Sequence, residues 1–178
     1  MAYYLENPTA GTTTVNLGST VSLGSNVGDY LEFSVRAYSG NNSGNHRLSG
    51  NTFSFRNLIV LTSNEVTLRA STGNTPNFSS INFNTNYTQP ANDVDYIFRL
   101  EKIANNNFEC FIDGTSIGTG ASTNNFDFNC FGWHSSNTSL AFMGRYYYIE
   151  ASTNGGASVT NYWDPSATNG TGTTLEDT

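Results

Sequence analysis

Wherever the chain is not dominated by Gly, Asn, Ser and Thr, its apolar residues recur at every second position, and no window of useful length sets them at helical spacing. In YLEFSVRA, Leu31, Phe33, Val35 and Ala37 alternate with Glu32, Ser34 and Arg36, as in a strand with one buried face. EVTLRAS repeats the rule with Val66, Leu68 and Ala70 against Glu65, Thr67 and Arg69. NTFSFRNLIVLTS, YIFRLEKI, FECFID, FDFNCFGW and RYYYIEAS complete the series, separated by turn clusters such as ANNN, DGTSIGTGASTNN and SSNTS. Strands at this spacing predict two packed antiparallel sheets. SGNNSGNHRLSGN reads as a polar loop, and residues 71–92 as a long connection with a weak strand at Ile81 and Phe83.

A chain of 178 residues is the size of one domain. With charged residues at 12% and fourteen acids against one lysine, Lys102, and six arginines, the net charge is -7. Such a surface repels phosphate backbones and anionic lipid, so neither nucleic acid nor membrane insertion is expected. The opening MAYYLENPTAG lacks a basic region followed by an apolar one, and no apolar run is long enough to span a bilayer; the expectation is a soluble chain without a Sec signal. Cys110 and Cys130 lack metal-ligand spacing and read as two buried thiols or as one disulfide between neighbouring strands.

DYIFRLEKIANNNFECFIDGTSIGT resembles the central hairpin of laminin-G-like domains in the concanavalin A-like lectin and glucanase superfamily, with an Arg-Leu-Glu strand, a polar turn and a strand ending in Asp-Gly. FGWHSSNTSLAFMGRYYYIEASTNGGASVTNYWDPSA resembles the late strand and loop of the same domains in bacteriophage virion proteins. The resemblance runs over roughly residues 29–165. It implies an all-β, two-sheet jelly-roll sandwich over residues 1–165, its N-terminal strand near the late one, with residues 166–178 as an extended tail. For function it implies a non-enzymatic virion structural protein, a capsid decoration protein or tail-fibre component, made in a host cytoplasm and displayed on the particle. Its partners would be other virion proteins or further copies of itself, as in a trimer. The alternative is a carbohydrate-binding lectin module that attaches to surface glycans.

Hydrolases of this superfamily carry Glu-x-Asp-x-x-Glu on one strand, and no such run occurs: Asp93 and Asp95 share a face, but position 98 is Phe98. His46 in a polar loop and His134 beside Trp133 lie in no nucleophile motif and read as solvated or hydrogen-bonded loop residues. No cofactor is expected. Calcium, which some relatives hold through loop oxygens, would draw on Asp29, Asp93, Asp95, Asp113 or Asp164, each of which turn formation also explains.

Strict alternation phases the late strands. Tyr96, Phe98, Leu100, Phe108, Cys110, Ile112, Phe126, Phe128 and Cys130 point inward, while Arg99, Glu101, Glu109, Phe111, Asp127, Asn129, Phe131 and Trp133 point outward. In RYYYIEA, Tyr147, Ile149 and Ala151 go to the core and Tyr146, Tyr148 and Glu150 to the surface. The candidate interaction surface, for protein or glycan, is therefore Phe111, Phe131, Trp133, His134, Tyr146 and Tyr148. Outward aromatics call for cover by a crossing loop such as residues 71–92, for a protein interface, or for a sugar platform.

Overall fold

Among the described residues the alternation is realised as thirteen antiparallel strands, numbered in chain order. The computed structural model describes residues 5–7, 15–39, 41, 46–51, 54–62, 66–70, 79–83, 87–123, 125–132 and 142–164. One sheet has the spatial order β1 (Leu5–Asn7), β12 (Gly144–Ser152), β3 (Tyr30–Ala37), β8 (Asp95–Ala104), β9 (Asn107–Ile112) and β10 (Thr115–Ala121), and β13 (Asn161–Trp163) joins β1 along the free edge of β12. The other runs β2 (Val15–Leu23), β11 (Phe126–Phe131), β4 (His46–Asn51), β5 (Ser54–Leu61), β6 (Val66–Ala70) and β7 (Ser79–Phe83). The two-sheet sandwich, the weak strand at Ile81 and Phe83, and the pairing of the N-terminal strand with the late one are as expected. Among the described residues no helix is long and apolar enough to cross a membrane.

Between the sheets lies an aromatic core. Phe33 of the seven-stranded sheet meets Phe131 of the six-stranded one edge to face, ring centroids 5.2 Å apart, and Phe108 meets Phe126 likewise at 5.5 Å. Each such buried ring contributes on the order of 2 kcal/mol from removal of its surface from water. The described part of the long connection also faces this core, through Tyr87, which is buried.

In β11 and β12 strict alternation fails, and in each the failure coincides with a shift of register. In β11 the pairing with β2 jumps from Phe128 opposite Val21 to Cys130 opposite Asn16, so the unmatched residues lie in β2, and Phe131 turns inward, fully buried, where the sequence placed it outward. In β12 the pairing with β3 slips between Tyr146 and Tyr148. Tyr146 is consequently buried, its hydroxyl donating to the Leu48 carbonyl at 3.0 Å, while Tyr147, expected in the core, reaches Asp95 on the surface at 2.9 Å. Phe131 and Tyr146 therefore belong to no surface.

β4 and β10 lie in stretches that read as a loop and a turn cluster, and β2 in one that the alternation passed over. β4 includes His46, which is hydrogen-bonded as one of the two readings had it but buried in a strand and not solvated in a loop: it is 1% exposed, with Nδ1 3.0 Å from the Tyr96 hydroxyl and its ring stacked on Tyr96. β2 and β10 are rich in Gly, Ser and Thr, and they extend because a neighbouring strand supplies their hydrogen bonds. Both cysteines are free and buried, Cys110 on β9 and Cys130 on β11 in opposite sheets, so the disulfide between neighbouring strands does not form. Burial pushes the Cys130 thiol up to about 12 and Cys110 well above its ordinary value, which leaves neither as a nucleophile at neutral pH.

The end of the sandwich beside β3 is tied by Asp29. Its buried carboxylate accepts from the backbone N–H of Gly24 at 3.2 Å, Asn26 at 2.9 Å and Gly155 at 2.9 Å. Gly28, at φ 91°, lies so close to the opposite loop that a Cβ would sit 2.3 Å from the Gly155 carbonyl oxygen. Lys102 ends the inward row of β8, buried, with its ammonium donating to the Gly24 carbonyl. The chain's one lysine thus serves the fold.

Gly28→Ala is expected to lower stability by on the order of 2 kcal/mol or more in urea unfolding, because it combines left-handed strain with collision against Gly155; an unchanged midpoint would contradict this packing. Burial also holds the His46 imidazole below its ordinary value, against an Asn92 hydrogen bond that acts the other way. The unfolded chain then takes up a proton first. Stability attributable to His46 is complete above about pH 6.5 and falls as pH drops toward the folded value, with a slope of at most about 1.4 kcal/mol per pH unit. Urea midpoints measured across this range should show that slope in the native protein and lose it in His46→Phe.

Candidate functional site

Antiparallel pairing sets the outward residues of the seven-stranded sheet in rows across the strands. One row runs Tyr162, Glu150, Glu32, Arg99, Phe111 and Ser116, from β13 through β12, β3, β8 and β9 to β10. The adjacent row places Tyr30 opposite Glu101 and Glu101 opposite Glu109. A cavity of about 200 Å³ opens on this face, lined by Glu32, Ile97, Arg99, Glu101, Phe111 and Gly114.

Arg99 organises the cavity. Its guanidinium lies 3.7 Å from the centre of the Tyr30 ring, a cation–π contact that covers the ring, and it holds Glu101 through Nη2 at 2.9 Å and Nε at 3.0 Å. Nη1 reaches Glu32 at 3.4 Å. Burial works against the guanidinium charge, but Glu101 and Glu32 outweigh it and raise the pKa above the usual arginine value. Glu32 is held from its other side by the Tyr148 hydroxyl at 2.7 Å, and Tyr148 stacks on Tyr162. Burial, then the Glu32 hydrogen bond, push the Tyr148 phenol up, so it serves Glu32 as a donor throughout the physiological range. Tyr30 in turn donates to Glu150 at 3.0 Å.

The apolar wall comes from Phe111, half-buried, and Ile97, 36% exposed. Ile97 is held by the next hairpin. Asp113 and Gly114 take φ of 49° and 74° as a two-residue turn between β9 and β10, and Asp113 Oδ1 accepts from the Ile97 N–H at 2.8 Å while its own N–H donates to the Ile97 carbonyl at 2.9 Å. The Asn-rich turn between β8 and β9 is likewise turn chemistry, with Asn106 at φ 57°. Neither turn supplies a catalytic group, but the Asp-Gly turn closes one end of the cavity.

Of the residues expected to form an interaction surface, Phe111 lines the cavity and Tyr148 lies on the same face behind Glu32. Phe131 and Tyr146 are in the core, and β11 belongs to the other sheet, so Phe131 would not share this face in either phase. Trp133 and His134 lie outside the described residues. Glu32, Tyr30 and Ile97 went unrecognised in the sequence: their outward parity was readable, but their neighbours follow from a pairing between β3 and β8 that no local pattern specifies.

Metal ligation fares differently at four of the five proposed aspartates, Asp29, Asp93, Asp95 and Asp113. The Asp29 oxygens are taken by N–H donors, which a cation would have to displace. Asp95 is paired with Arg36 at 2.5 Å and with Tyr147, and Asp113 is committed to Ile97. Asp93 sits at φ 62° in the turn before β8. Among the described residues no group of three or more His, Cys, Asp or Glu side chains is placed to hold a metal ion.

No protein-family model matches the sequence, and no curated protein matches it. Solved structures are similar in fold. Domains LG4-5 of the mouse laminin alpha1 chain align at 14% identity with a TM-score of 0.52, covering 90% of this chain and 42% of that one. The carbohydrate-binding module CBM66 from Bacillus subtilis aligns at 13% identity with a TM-score of 0.50, covering 82% of this chain and 88% of that one. The chain therefore spans less than half of the laminin pair and most of the single module. From the order of its strands and these likenesses, the protein is an antiparallel jelly-roll sandwich of the concanavalin A-like fold.

Proposed function

We propose that the protein is a carbohydrate-binding module without catalytic activity, which holds a saccharide on the outer face of its seven-stranded sheet. The observation that carries this reading is the cavity around Arg99. A sugar ring offers one face of C–H groups and a rim of hydroxyls that both donate and accept. Phe111 and Ile97 supply apolar contact for the first, and the guanidinium N–H groups with the carboxylates of Glu32 and Glu101 supply acceptors and donors for the second. These groups are held in advance by Tyr148, Tyr30 and the Asp-Gly turn, which lowers the entropy lost on binding. The likeness to CBM66 supports a module of this kind through the fold alone.

The virion role, with display on a particle and self-assembly, rests on the sequence resemblance. It loses part of its motive, because Phe131 and Tyr146 are spent in the core and offer no surface to a neighbouring subunit. A sugar-binding face is nonetheless compatible with such a setting, so the glycan reading is preferred for what it explains about Arg99.

A glycan array, probed with and without calcium, should return at least one class of bound saccharide with an affinity in the range of about 1 µM to 1 mM, equivalent to roughly 4 to 8 kcal/mol. Phe111→Ala and Arg99→Met should each weaken that binding by about tenfold or more while circular dichroism and thermal unfolding remain those of a folded sandwich. An array without binding under either condition, or affinity unchanged in both variants, would reject the proposal.

A further inference from the structure

The structure assigns a ligand class to the Arg99 cavity: we infer that it favours saccharides carrying a free, protonated amino group over neutral N-acetylated sugars, and rejects uronate and other acidic sugars. The inference rests on the carbohydrate-binding reading and deepens it.

The first observation is the charge around the cavity. Its lining holds one cation, Arg99, and two carboxylates, Glu32 and Glu101. The second is the position of the next carboxylates. Glu109 lies directly opposite Glu101 across β8 and β9, and Glu150 lies directly opposite Glu32 across β3 and β12. Like charges in facing positions destabilise a sheet. Two such pairs flank one guanidinium, and the chain's lysine is buried elsewhere, bound to the Gly24 carbonyl. These acids are short of positive charge: Glu150 meets a tyrosine hydroxyl and Glu109 the Ser116 hydroxyl, while Glu101 shares the Arg99 guanidinium with Glu32.

A cationic group entering the cavity would relieve that repulsion and would gain charge-assisted hydrogen bonds. An acidic sugar would meet the opposite situation. To use Arg99 it would have to displace Glu101 or Glu32 from the guanidinium, and it would bring a further negative charge beside four carboxylates. Phe111 and Ile97 make the recognition more than a general attraction for cations, since a bare metal ion or a small amine would leave that wall exposed to water.

The test is calorimetric titration at about pH 6.5 with three probes of equal length: tetrasaccharides of glucosamine, of N-acetylglucosamine and of a uronic acid. Glucosamine should bind about tenfold or more tightly than its N-acetylated form, and the uronate should give no measurable heat. The preference should collapse in 1 M NaCl, where the screening length is about 3 Å. Glu101→Gln should reduce it by several-fold, whereas Asp127→Asn, which removes the same charge from the other sheet, should leave it intact. Equal binding of the two hexosamine probes, or preference for the uronate, would overturn the ligand class while leaving carbohydrate binding standing. Preference lost equally in both variants would reduce it to the net charge of the protein. Silence of all three probes would overturn the inference, and the glycan array then decides separately whether any saccharide binds.

Discussion

Two shifts of register decide what this sandwich buries. Between Phe128 and Cys130 the partner strand β2 carries residues that β11 does not match, in β12 Tyr147 has no match in β3, and Phe131 and Tyr146 both lie inward. The result is a cluster in which Phe131 contacts Phe33, Tyr146 and Trp163, and Tyr146 contacts Phe142. This cluster joins the two sheets. It also frees the seven-stranded sheet's outer face from large apolar rings at Tyr146, leaving a mixed surface of carboxylates, arginines and hydroxylated rings. The polarity of that outer face and the content of the core therefore both depend on these shifts.

These shifts are the reason two of the expected surface residues, Phe131 and Tyr146, were misplaced by the alternation rule. Alternation in YLEFSVRA and YIFRLEKI correctly separates Leu31, Phe33, Val35, Phe98 and Leu100 from Glu32, Arg99 and Glu101, because no irregularity interrupts β3 or the first part of β8. The same rule misassigns Phe131 and Tyr146, since a bulge is set by pairing and packing rather than by local hydrophobicity. It also passes over β2, β4 and β10, whose Gly, Ser, Thr and Asn content resembles turns until a neighbour supplies the ladder. Arg99, Glu101 and Phe111 were visible as outward residues of one hairpin. That Glu32 completes the cluster is a fact of tertiary pairing across 67 residues of sequence.

Concanavalin A-like sandwiches host many functions, so the fold by itself assigns none. The more informative feature is a local conflict: facing carboxylates at Glu101 and Glu109, and again at Glu32 and Glu150, in a sheet otherwise built on sound alternation. Arg99 mediates part of this repulsion, and Tyr148 and Tyr30 cushion it with hydroxyl donors. Like charges in facing positions weaken a sheet, and the proposed ligand would offset that repulsion.

The most direct measurement is amide chemical-shift mapping of the isotopically labelled protein while a saccharide is added to millimolar concentration. The account expects the largest shifts at Glu32, Ile97, Arg99, Phe111 and Gly114, on three adjacent strands and one turn of a single face. Shifts confined to the six-stranded sheet or to loops remote from Arg99, with this row unmoved, would contradict it.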